Sequence, residues 1–234
     1  MEGMAMGEGR SVKRAAGLVL CAGLFVAALL VFLRAHSFSA YEEARAKAKS
    51  IENSFAEMEG DLRAAARFPG RPAAWGELGR IYLERALAEN QFGSAEKREE
   101  FLDWARDALK EQIRRNPLDA TSFYRLGIVY TLYNFPLLTY AERGWAYFIR
   151  ALELSPSDEF LNVNGLYVFL AQWDVLSQKE RDFAWKRLRE IADINGFFIT
   201  KIGNLWSKNF GNLDRLREIL ARDAGVWLRI KSML

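Results

Sequence analysis

Few side chains in this sequence are equipped for acid, base, nucleophilic or metal chemistry. Among its 234 residues there is one Cys, Cys21, and one His, His36. A disulfide needs two thiols, and a zinc site needs three or four ligands, so disulfide frameworks and the usual zinc arrangements are excluded by arithmetic. Cys21 lies within an apolar run, where a free Cys behaves as a small hydrophobe. The other role for such a position is the lipidated Cys of a bacterial lipoprotein, but Leu18-Val19-Leu20 lacks the small residue that such a motif sets immediately before its Cys. His36 stands just beyond the run with no second ligand beside it, and is assigned to the membrane interface. Adjacent carboxylates occur as Glu42-Glu43 and Glu99-Glu100, each in a helical pattern with Lys and Arg nearby, which is the pattern of a solvated face. There is no Gly-rich phosphate loop, no Gly-x-Ser-x-Gly elbow and no second His to act as a base. The sequence therefore predicts no catalysis, no metal and no cofactor.

Partners are bounded by charge. The formal charge is +3, from 33 Lys and Arg against 30 Asp and Glu. Arg10, Lys13, Arg14 and Arg34 fall in the first 34 residues with Glu2 and Glu8, which leaves 29 bases against 28 acids in the remainder. A near-neutral body with interspersed signs has no electrostatic footprint for nucleic acid. Half of the residues are hydrophobic and only five are Pro, a composition that favours helices and supports one extended core.

The apolar run at 15–33 holds nineteen residues without a charge. As a helix it is roughly 28 Å long, close to the thickness of a bilayer core. A cleaved signal peptide is the competing reading, because Lys13 and Arg14 form a basic flank and Ala35-His36-Ser37 is a tolerable cleavage site. Signal-peptide apolar regions are shorter, about 7 to 15 residues, and Arg34 closes this run with a charge. An uncleaved signal anchor is the expectation. Basic residues crowd the amino-terminal flank (Arg10, Lys13, Arg14), but Arg34, Arg45, Lys47 and Lys49 nearly balance them. The immediate flank favours a cytoplasmic tail at 1–14 and a body outside the cytoplasm, in a bacterium the periplasmic side of the inner membrane.

Beyond the anchor the sequence is helical. In 41–67, Ile51, Phe55, Met58, Leu62 and Ala65 make one amphipathic stripe, and Phe68-Pro69-Gly70-Arg71-Pro72 forbids its continuation. Then Trp75, Leu78, Gly79 and Tyr82 occupy offsets zero, three, four and seven on one side of a helix. Phe123, Leu126, Gly127 and Tyr130 repeat that set. Pro69 lies six residues before Trp75, and Pro117 six before Phe123. A second pattern follows each, as Ala105, Leu109, Gln112 and Pro117, and then as Gly144, Phe148, Ala151 and Pro156.

These motifs resemble the tetratricopeptide repeat. The resemblance implies an all-α fold, a short solenoid of helical hairpins preceded by one transmembrane helix, with the repeats at 69–196, a membrane-proximal helix within 34–68 and a helical cap at 197–234. Against a family length of 34 residues, the spacings of 48 from Pro69 to Pro117 and 39 from Pro117 to Pro156 place insertions between the helices of each pair. The first insertion covers much of 86–99, with its turn at Asn90-Gln91-Phe92-Gly93-Ser94 and longer helices on either side. The second is Asn134-Phe135-Pro136-Leu137-Leu138, followed by a capping box at Thr139 and Glu142. Phe92, Phe135, Leu137 and Leu138 must tuck back onto the stack or meet a partner.

The third unit departs from the pattern. Leu166 stands where Gly79 and Gly127 stand, Gly165 comes one position early, and Phe160, Leu161, Val163, Tyr167, Phe169, Leu170 and Trp173 wrap the helix with apolar surface. Ser177 and Glu180 form a capping box for the next helix, which carries Ala184, Leu188 and Ile191 and ends at Asn195-Gly196. Helices are expected over 197–210 and 213–222, divided by Gly211-Asn212, with a short last segment at 226–234. Phe197, Phe198, Trp206 and Trp227 leave open whether this end caps the stack or docks elsewhere.

Members of that family bind extended peptides or helices along the surface of their first helices. By spacing, the corresponding positions are Gly76, Arg80 and Glu84, then Tyr124, Ile128 and Leu132. The family's Lys, Asn and Arg carboxylate clamp is missing, so a helix or internal segment suits the groove better than a free carboxyl terminus. The resulting expectation is a membrane-anchored scaffold or adaptor for protein partners in the envelope, tethered through 15–33, with no nucleic acid and no metal. The alternative is an accessory subunit of a surface-polysaccharide polymerase or ligase, or of a secretion or assembly machine.

Overall fold

The structure, a computed structural model, describes residues 55–67, 72–92, 94–133, 141–211, 213–222 and 227. The expected tail at 1–14, anchor at 15–33, most of the membrane-proximal helix in 34–68, and Thr139 of the second capping box lie outside them, as do Phe135, Leu137 and Leu138. The described residues are all-helical, and none of their helices is long and apolar enough to cross a membrane. In order they are α1 (Phe55–Ala66), α2 (Pro72–Phe92), α3 (Ala95–Arg115), α4 (Ala120–Leu132), α5 (Ala141–Leu154), α6 (Glu159–Ala171), a 3₁₀ turn (Trp173–Val175), α7 (Gln178–Ile194), α8 (Phe197–Phe210) and α9 (Asp214–Ala221).

Two compact units divide the chain, residues 1–78 and 79–234, with the boundary inside α2. In the first, α1 buries Leu62, Ala65 and Ala66 along its stripe while Arg63 and Glu59 pair at 2.7 Å on its exposed side. Pro72 opens α2, where its fixed φ suits the first helical turn and its missing N–H costs nothing. Ala74 and Leu78 are buried in that turn and the next.

The second unit holds the main core. α4 packs most extensively on α5 and also on α3, α6 touches both α4 and α5, and α8 in turn touches both α6 and α7. Helices two apart in sequence thus meet as well as consecutive ones. Trp145, Phe148 and Phe169 fill the centre, with Trp145 and Phe169 ring centroids 5.1 Å apart. Close approach depends on glycine: a Cβ on Gly127 would lie 3.0 Å from the Phe148 ring, and one on Gly144 3.2 Å from the Gly127 carbonyl oxygen. Gly165 plays the same part towards a different neighbour, since its Cβ would lie 3.1 Å from Leu152 of the preceding helix.

Helix ends are set by local chemistry. Asp119 caps α4 by accepting from the Ser122 N–H, and Asp158 caps α6 by accepting from Leu161. α7 opens with the expected capping box of Ser177 and Glu180, in which the Ser177 N–H donates to the Glu180 carboxylate at 2.7 Å. α8 stops at Gly211, whose φ of +82° is left-handed and favours glycine. One boundary corrects the expectation. Asn90, Gln91 and Phe92 belong to α2 rather than to the turn, and the helices on either side, α2 and α3, reach 21 residues each, the lengthening the insertion implied.

Candidate functional site

The expected groove positions are not equivalent in the structure. Gly76 is buried. Arg80 and Glu84 pair at 2.6 Å across one turn of α2, with Glu84 exposed. Tyr124 is only 8% exposed, and so is a wall rather than an open recognition position. Phe148 meets its ring edge-on at 5.5 Å and Phe160 at 5.8 Å, and burial pushes its phenol up to about 12. Ile128 and Leu132 are half-buried and remain within reach of a partner.

Phe160 accounts for this. It lies in the first turn of α6, packs edge-on against Tyr124, and is itself 61% exposed. Beside it a cleft of about 380 Å³ runs between α6 and α8, with Val163 and Leu205 as its apolar floor. Lys201, Lys208 and Asn204 of α8 rim this cleft opposite Glu159 and Asn164. Lys201 is taken up by an ion pair with Glu159, and its ammonium also lies 4.7 Å from the centre of the Phe197 ring. Asn164 donates back to the Phe160 carbonyl. Lys208 has no carboxylate partner among the described residues.

No family model matches this sequence, and a search of curated proteins finds no match. The repeat motifs must therefore be judged on geometry. Leu109 lies against Gly79, as Phe148 lies against Gly127, and Tyr82 packs edge-on to Trp104 at 5.4 Å. Leu78, Ala105, Leu109, Leu126, Phe148 and Ala151 are fully buried, Tyr82 nearly so, while Trp75, Phe123 and Tyr130 are half-buried. Tyr130 stacks on Tyr147 at an interplanar angle of 2°. Pro117 and Pro156 are exposed in the turns before α4 and α6, where no helical N–H is needed.

Among the buried polar residues, Asn162 and Arg187 escaped sequence reasoning, whereas Gln112 stood out there as a motif residue. Asn162 stands six residues after Pro156, the place that Trp75 and Phe123 fill in the earlier units, and it is completely buried. Its amide donates to the carbonyls of Ser155, Pro156 and Asp158, and its oxygen accepts from Arg187 Nε at 2.8 Å. Arg187, 6% exposed, also donates to the Pro156 carbonyl and pairs with Glu190 at 2.7 Å. Gln112, which replaces the expected small residue, donates to Asp119 at 2.6 Å and so steadies the cap of α4. The only sequence signal was a polar residue at each of two apolar positions of the repeat.

Other ionisable groups among the described residues face solvent or pair with near neighbours. Glu99 and Glu100 are exposed. Arg114 and Arg115 hold the Glu111 carboxyl down at about 2. Tyr133 donates to Asp103 at 2.5 Å, and burial followed by that bond raises its phenol well above the usual range. Among the described residues, no group of three or more His, Cys, Asp or Glu could hold a metal ion.

Proposed function

We propose that this protein is a non-catalytic scaffold of tetratricopeptide-like hairpins, held to the inner membrane through 15–33 and binding a protein partner outside the cytoplasm. The observation that carries the reading is a repeated small-to-large fit. Gly79 receives Leu109 and Gly127 receives Phe148, each glycine on the first helix of a pair and each large residue on the second. Contacts between helices two apart, α4 with α6 and α6 with α8, are those a stack of such pairs requires. A stack of this kind leaves its first helices as a continuous surface for a partner segment. Tethering then raises the effective concentration of that partner at the membrane, so modest affinity suffices.

The test is site-specific photocrosslinking from Ile128 and Leu132 in intact membranes. The expected product is a discrete adduct with one protein. Adducts confined to lipid or glycan would overturn the scaffold reading, and recovery of a soluble mature chain beginning near Phe38 would overturn the anchor.

A further inference from the structure

We infer that the cleft between α6 and α8 binds an extended segment of a partner protein in which an acidic side chain adjoins apolar ones. The inference rests on the scaffold reading and adds to it the chemistry of the partner and the place where it binds.

Three features of the cleft carry it. First, the floor is apolar, made by Val163 and Leu205, and Phe160 stands exposed at its lip, so apolar side chains entering the cleft leave water on several sides. Second, the rim is cationic: α8 reads Phe-Phe-Ile-Thr-Lys-Ile-Gly-Asn-Leu-Trp-Ser-Lys-Asn-Phe, with two lysines and no acid. Lys201 is neutralised by Glu159, which leaves Lys208 as the cation with no carboxylate partner among the described residues. An incoming carboxylate complements it, whereas an incoming Lys or Arg adds a like charge. Third, Asn204 stands exposed between the two lysines and offers both a donor and an acceptor to a passing backbone. An extended chain presents such backbone groups and a bilayer does not.

The test uses the full chain in phosphatidylcholine nanodiscs, panned against a random dodecapeptide display library. Enriched peptides should place Asp or Glu beside apolar residues. A synthetic enriched peptide should bind Lys208→Glu about fivefold more weakly or worse at low salt. Panning on Lys208→Glu should in turn enrich Lys or Arg in place of the acid. Phe160→Ser should weaken binding without changing that charge preference. Both positions are exposed, and circular dichroism of each variant checks the fold. Acid-free peptides, or the same peptides with the same affinity on Lys208→Glu, would overturn the inference. So would binding of phosphatidylglycerol vesicles with no peptide enrichment, which would assign the face to lipid. A protein adduct from Ile128 combined with any of these outcomes leaves the scaffold standing and removes only the cleft's assignment.

Discussion

Leu109 occupies the space that a side chain on Gly79 would need: a Cβ built there lies 2.4 Å from Leu109 Cγ and 2.6 Å from Cδ2. Leu109 is fully buried, so it has little room to retreat. The glycine is retained inside a helix despite its poor propensity because the neighbouring helix comes so close.

Gly79→Ala should therefore destabilise the fold. Alanine gains about 1 kcal/mol of helix propensity, but overpacking costs roughly 1–3 kcal/mol. The net loss should be about 1 kcal/mol in urea unfolding followed by circular dichroism. Gly127→Ala, whose nearest contact is 3.0 Å, should be closer to neutral. Adding Leu109→Ala to Gly79→Ala should cost less than the sum of the two changes, by roughly 0.5 kcal/mol or more. Additive losses would mean that the two residues do not meet.

Asn162 and Arg187 hold a buried charge through shared bonds. Asn162→Ala removes an acceptor from a guanidinium that is almost wholly buried, and the loss should be about 2–4 kcal/mol. The double change Asn162→Leu and Arg187→Met removes charge and acceptor together, and should restore most of that stability. Thermal unfolding of the three variants decides it: a double variant less stable than Asn162→Ala would count against the arrangement.

Stability should fall at both ends of the pH range for separate reasons. Tyr124 has a phenol raised to about 12 by burial, so its contribution is complete below pH about 10 and is lost as pH climbs through 12. Tyr124→Phe should flatten that alkaline decline. Glu111 has a lowered carboxyl, so its contribution is present above pH 4.5 and disappears as pH falls towards 2. Its side chain is partly solvated, and Glu111→Gln should cost less than about 1 kcal/mol at neutral pH and nothing at pH about 2. Denaturation midpoints against pH test both.

Gly211 ends α8 in a left-handed conformation with nothing within 4 Å of a built Cβ. Space is free there and only the backbone objects. Gly211→Ala should cost about 1 kcal/mol and Gly211→Asn less, since Asn tolerates that region. Equal effects of Ala and Asn would show that the end of α8 is set by something else.

The all-helical class was legible in the sequence, as were the breaks at Ser177, Asn195-Gly196 and Gly211, because caps and turns are chosen by local chemistry. Contacts between distant residues were not. Tyr124 has the spacing of a surface position on α4, yet Phe160, which is 36 residues further on, lands on its ring. Asn162 is polar in a helix otherwise rich in apolar residues, and its reason lies in Arg187, 25 residues away. The run from Asn90 to Ser94 has the composition of a turn, but α2 runs on through Phe92. Local propensity is a weak guide where neighbouring residues on both sides already favour the helix.

The exchange of glycine and leucine at 165 and 166 has a consequence for cooperativity. Gly165 admits Leu152 from the preceding pair, so the third pair is interlocked with the second. Ala120 and Tyr124 of α4 accordingly share one hydrophobic cluster with buried residues of α5 to α9 as far as Leu220, a cluster that does not include Leu109. Amide protons across that block should exchange in a single opening event, as one foldon, while the α2–α3 hairpin exchanges earlier and separately. A repeat array ordinarily frays from its ends pair by pair. Here the fraying has a built-in stop.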